Sequence, residues 1–128
     1  MEIHHLRNAT MVIEAGKYVI LVDPMLGKKG AFQPFTFFRF KARRNPTVQL
    51  PENSDKILEK VTHCLITHQH PDHIDEAAEQ FLKSRNTPVF CSEKDAPAFR
   101  KKGLNIKSTI NYWEKGQFLN GKIMGIPA

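Results

Sequence analysis

The sequence predicts one mixed α/β domain in which strands come first and then alternate with helices. Residues 2–22 are short runs rich in Val and Ile around turn residues, with none of the apolar spacing of a helix. From residue 53 onward, segments with apolar residues at helical spacing are separated by short apolar runs. A length of 128 residues is enough for one domain with a core and too little for two, so residues 1–128 are read as one unit.

"EIHHL" and "TMVIEA" read as strands, and "KYVILVD" follows through a tight turn at Ala15-Gly16-Lys17. Asp23-Pro24 ends this third strand, because proline has no N–H for a central ladder. "NSDKILEK" is a short helix capped by Asn53 or Ser54, and "VTHCLIT" is a buried strand. "IDEAAEQFLKSR" places Ile74, Ala77, Ala78, Phe81 and Leu82 on one helical face. "TPVFCS" is a strand, "EKDAPAFRKKG" a short helix ending at Gly103, and "LNIKSTI" another strand. The last segment closes with strands around turns at Lys115-Gly116 and Asn120-Gly121.

Residues 24–51 interrupt this order. Gly, Pro and basic residues are interleaved there with five of the nine phenylalanines. A connection of this length inside a compact domain is usually functional or mobile. It also holds the charge. The chain carries a net +6, but residues 24–51 contain six basic residues and no acidic one, leaving 13 of each sign elsewhere. The basic excess is therefore one loop, which argues against a nucleic-acid surface.

No apolar run approaches the roughly 20 residues that cross a bilayer. "MEIHHLRNATMVIEAG" lacks the basic start and apolar centre of a signal peptide. Cys64 and Cys91 are far apart, without a CxxC, and are expected as buried free thiols in a cytoplasmic protein.

The densest chemistry is "HQHPDH", residues 68–73, directly after one predicted strand and before one predicted helix. His68 and His70 are two apart and would leave an extended backbone on the same side. Pro71 restricts the backbone, and Asp72 and His73 follow as the chain turns into the helix. Imidazole nitrogen and carboxylate oxygen are ligands of zinc, manganese and iron. Two ligand pairs of different direction suit two ions a few ångströms apart. Converging imidazoles without a metal would repel when protonated, so a merely structural cluster is disfavoured. His4, His5 and His63, each without such company, are expected to be packed or solvated.

His68-Gln69-His70-Pro71-Asp72-His73 resembles the H-x-H-x-D-H signature of the metallo-β-lactamase superfamily. "ATMVIEAGKYVILVDP" is similar to that family's opening strands, which end in an aspartate, here Asp23. The nearest likeness is to the branch with L-ascorbate-6-phosphate lactonase and N-acylphosphatidylethanolamine phospholipase D. The resemblance implies a four-layer αββα fold made of two similar halves. This chain would cover roughly the first half, as a mostly antiparallel sheet with helices on one face.

It also implies roles. His68 and His70 would hold one divalent ion, and Asp72 and His73 a second, zinc first and manganese or iron as alternatives. Asp72 would also orient the hydroxide nucleophile, and Asp23 would hold a ligand histidine by its other ring nitrogen. Arg7-Asn8 stands where the branch commonly has Gly-His. After His73 there is no histidine, so the remaining ligands of both ions are expected from elsewhere, and this chain alone is expected to be inactive, with partial or no metal occupancy.

The implied activity is metal-dependent hydrolysis of a lactone, ester or phosphodiester in a small anionic substrate. Phe38, Arg39, Arg43 and Arg44 in the long loop are the candidate substrate contacts, aromatics for an apolar part and cations for a phosphate or carboxylate. The same loop also reads as a flap that packs its phenylalanines on the core or on a subunit partner, and its composition suits contact with an anionic membrane surface. The rival readings are a non-catalytic metal-binding half-domain that pairs with a second chain or with itself, and a nucleic-acid-processing hydrolase of the same superfamily.

Overall fold

A computed structural model describes residues 1–34 and 41–127. Its main element is a six-stranded sheet whose spatial order follows the chain. Strands β1 (Glu2–Arg7), β2 (Thr10–Ala15) and β3 (Tyr18–Val22) form the expected meander. Its turns use residues at positive φ, Asn8 at 46° and Gly16 at 60°. These are the residue types that tolerate the left-handed region.

From β3 onward the connections are helical. Helix α1 (Ser54–Glu59) leads to β4 (His63–Ile66), α2 (Glu76–Ser84) to β5 (Val89–Ser92), and α3 (Ala96–Lys101) to β6 (Ile106–Ile110). A crossover through a helix returns the chain in the same direction, so β3, β4, β5 and β6 pair in parallel. The α/β class holds, but the sheet is mixed rather than mostly antiparallel: two antiparallel pairings are followed by three parallel ones.

Because the strand order advances one way and such crossovers share one hand, all three helices fall on one face. There Val12, Leu21 and Leu6 pack with Ile57, Leu58 and Val61. Cys64, Ile66, Val89 and Cys91 pack with Ala78 and Leu82 of α2 and Phe99 of α3. Leu26 and Phe81 touch both clusters and join them. All four residues of β5 are buried, as a central parallel strand requires. Cys64 and Cys91 are free and buried, as expected.

The opposite face is partly covered by a hairpin of β7 (Lys115–Phe118) and β8 (Gly121–Met124). Phe118 stacks edge-on against Phe90 at 4.8 Å, and Tyr18 Oη donates to Asn120 Oδ1 at 2.8 Å. Here the sequence misleads at one turn. Lys115 and Gly116 lie inside β7, paired with Met124 and Ile123. The second turn forms one residue earlier than expected, at Leu119-Asn120 with Leu119 at φ 53°, and Gly121 opens β8. Beside the hairpin a groove of about 260 Å³ opens among Leu65, Thr67, Ile110, Tyr112 and Met124. Ile3 on this face is 56% exposed, and Trp113 next to the hairpin is 69% exposed. Among the described residues, no helix is long and apolar enough to cross a membrane.

Candidate metal centre

Parallel pairing places the C-terminal ends of β3, β4 and β5 along one edge, where ligands gather in sheets of this kind. Asp23 is the first residue after β3. Its N–H donates to Leu65 O at 3.0 Å, continuing the ladder. Its C=O accepts from Thr10 Oγ1 at 2.7 Å, and the same hydroxyl accepts from Met25 N at 2.8 Å. These bonds hold Asp23 at φ 45°, a conformation aspartate tolerates better than most residues. The side chain is thereby buried and aimed at the end of β4.

There Thr67 donates its N–H to Asp23 Oδ1 at 2.7 Å and its hydroxyl to Oδ2 at 2.8 Å. His73 Nδ1 lies 2.9 Å from the same Oδ2. The other nitrogen of His73, Nε2, lies 3.9 Å from Asp72 Oδ2. Asp72 is 45% exposed and His73 18%, so this pair opens toward solvent from a buried anchor.

The strand ends at Ile66, before the motif. His70 N donates to His68 O at 3.2 Å, and His73 N and Ile74 N donate to His70 O. His68 and His70 therefore do not leave an extended strand on one side. A tight turn brings their rings together instead, edge to face at 4.5 Å, with His68 and His73 at 3.8 Å. Burial, then the neighbouring His73 and His70, push the His68 pKa below its ordinary value. A second proton on that ring is disfavoured, and a neutral imidazole is the metal-binding form.

Three further residues support the motif, none of them given this task by the sequence. Asp95 Oδ2 accepts from Gln69 N at 3.2 Å and from Ser92 Oγ at 2.8 Å, tying the motif to the end of β5. Asp75 caps α2 by accepting from Ala78 N at 2.8 Å, and its other oxygen accepts from Gly27 N at 2.6 Å. Arg7, fully buried, donates to the carbonyls of Met25, Gly27 and Val48. It thus fixes both ends of the long loop beside the motif. Asp75 was legible as a helix cap; Arg7 and Asp95 carry no local signal.

The loop contacts are only partly described. Phe38 and Arg39 lie outside the described residues. Arg44 Nε donates to Gly30 O at 2.7 Å, where Phe32 and Asn45 form an isolated bridge, and Arg43 is exposed. Neither arginine forms an ion pair among the described residues.

The donor set, three imidazoles and a carboxylate, suits a divalent ion, but it comes as pairs. Among the described residues the only three donors within 4.8 Å of one another are Glu2, His4 and Glu14. That trio lies on β1 and β2, with Glu2 70% exposed and Lys60 Nζ 3.8 Å from Glu14. A lysine at that distance already offsets the acidic charge, so the trio is read as an ion-pair cluster. His63 packs between Tyr18 and Phe90, and burial lowers its pKa.

Residues 6–123 match the family model of the metallo-beta-lactamase superfamily. The UPF0173 protein YddR of Bacillus subtilis (strain 168) is 35% identical over 104 residues, 81% of this chain and 41% of that protein. Isothiocyanate hydrolase from Delia radicum gut bacteria superposes with a TM-score of 0.77 at 34% identity, over 94% of this chain and 45% of that one. A possible metal-dependent hydrolase from Veillonella parvula DSM 2008 gives 0.75 at 29% identity, over 90% and 43%. The chain thus spans less than half the length of each of these relatives.

Proposed function

Because this chain belongs to the metallo-β-lactamase superfamily, we propose that it supplies part of the dinuclear metal centre of a hydrolase. The observation that carries the reading is the line Asp23, His73, Asp72. Asp23 occupies Nδ1 of His73 at 2.9 Å and leaves Nε2 facing the Asp72 carboxylate. In this reading His68 and His70 hold one ion, and Asp72 and His73 the other. Zinc, manganese or iron bound there lowers the pKa of water and polarises a carbonyl or phosphoryl oxygen.

The chain's own residues do the rest. Asp72 accepts a hydrogen bond from the attacking water and aims it. Asp23 keeps His73 in one orientation. The donors come as two pairs, and each ion is completed by further ligands, from more of the same polypeptide or from a second chain covering the open sheet face. Catalytic zinc ordinarily takes three protein ligands, which is what this completion provides.

The substrate is a small electrophile with an anionic group, a lactone, ester or phosphodiester, as in the lactonase and phospholipase branch. Arg43 and Arg44, with Phe38 and Arg39, contact it. The isothiocyanate hydrolase supports a second substrate class, a small molecule attacked at an electrophilic carbon. Two buried free thiols suit a reducing compartment, the cytoplasm.

The test is metal content by mass spectrometry, beside a His68→Ala/His70→Ala variant, followed by hydrolysis assays on lactones, phosphodiesters and isothiocyanates. With two donors per ion, partial occupancy by divalent metal is expected in the parent and less in the variant. Equal metal in both, with the fold intact, would remove the motif from the site.

A further inference from the structure

Thr67 has no role in the reading above, yet it sits among the buried carboxylate and two motif histidines. Its hydroxyl is 2.8 Å from Asp23 Oδ2, 3.1 Å from His68 Nδ1 and 3.3 Å from His73 Nδ1. A hydroxyl has one proton and two lone pairs, whereas an ionised carboxylate can only accept. The proton must therefore go to Asp23, since two oxygens 2.8 Å apart with none between them would repel. Toward His68 the hydroxyl then offers only a lone pair. The hydrogen of that contact has to come from the ring.

We infer that Thr67 is a positioning residue that fixes His68 as the Nδ1–H tautomer, through a relay that starts at Asp23. The hydrogen bond made by one ring nitrogen decides what the other can do. With Nδ1 occupied as a donor, the lone pair of His68 is on Nε2. One buried carboxylate oxygen thus sets two imidazoles, His73 directly and His68 through a hydroxyl. The purpose of this relay rests on the metal-centre reading, but its existence does not.

The experiment is a two-bond ¹H–¹⁵N correlation spectrum of the histidine rings in the metal-free, ¹⁵N-labelled protein at pH 8, where neutral rings dominate. His68 is assigned with His68→Gln. The spectrum is recorded for the parent, Thr67→Ser, which keeps the hydroxyl, and Thr67→Val, which keeps the shape. The Nδ1–H pattern is expected for His68 in the parent and in Thr67→Ser, and its loss in Thr67→Val. An Nε2–H pattern in the parent, or an unchanged pattern in a folded Thr67→Val, overturns the inference. If Thr67→Val does not fold, the parent and serine spectra decide alone. A parent with the expected tautomer whose divalent-metal content is unchanged by His68→Ala/His70→Ala would keep the relay and defeat the metal reading instead.

Discussion

Asp23 Oδ2 and His73 Nδ1 lie 2.9 Å apart, joining the end of β3 to the end of the motif. The same carboxylate accepts two hydrogen bonds from Thr67, so both its oxygens serve as acceptors beside the His73 ring. Asparagine at this position has one acceptor and one donor group. Asp23→Asn must turn an N–H₂ toward at least one donor, and His73 loses its anchor. Metal affinity is expected to fall about 10–100-fold, the usual cost of removing such a partner. Competition with a chromophoric chelator measures it. An unchanged affinity would mean that something other than Asp23 orients His73.

Arg7 stands where the branch commonly has glycine, and the structure gives it a task inside the fold. Burial works against its charge, and Asp75 offsets part of that cost. Its planar fork reaches carbonyls on both sides of the long loop, which a lysine ammonium cannot span at once. Arg7→Lys is expected to cost about 1–3 kcal/mol for the carbonyls left unpaired. It should also speed tryptic cleavage within residues 24–51. A urea melt and a timed digest check both. A stable variant with a faster digest would place the effect in the loop alone.

Leu82 on α2 is 1% exposed and packs into the cluster with Cys64, Val89 and Phe99. Leu82→Ala leaves a cavity where β4 and β5 meet the helix, and a cost of about 2–5 kcal/mol is expected. Because α2 begins three residues after His73, metal uptake should fall along with thermal stability. Uptake unchanged at a much lower Tm would show that the motif turn is held by Asp23 and Asp95 and not by the helix.

How much of this was legible follows from distance along the chain. "HQHPDH" is six consecutive residues, so its ligand types could be read directly. The meander, the helices and the buried thiols were also local patterns. The bond between Thr67 and Asp23 spans 44 positions, that between Arg7 and Val48 spans 41, and that between Gln69 and Asp95 spans 26. No periodicity encodes such contacts; they exist only once parallel pairing aligns the strand ends. The parallel pairing itself was readable from a strand followed by a helix, but the family likeness drew the expectation toward an antiparallel sheet. Lys115-Gly116 failed for another reason. A glycine in a strand looks like a turn signal until its partner, Ile123, is known.

The two cysteines give a pH dependence whose sign can be worked out. Burial raises the Cys91 thiol to about 11 and lifts Cys64 well above its ordinary value. Neighbouring Asp95 adds to the first, and Asp23 and Cys91 to the second. In the unfolded chain both thiols titrate near about 8.5. As pH rises above that value the unfolded chain loses protons that the folded chain keeps, so stability falls with pH. For Cys91 the decline runs until about 11, where the folded form also ionises. Urea midpoints at pH 8, 9.5 and 10.5 should drop in that order. Cys91→Ala and Cys64→Ala should each flatten the decline, the double variant most. A parent and double variant that fall in parallel would assign the slope to lysines and tyrosines, and the thiols would not be the groups that burial holds neutral.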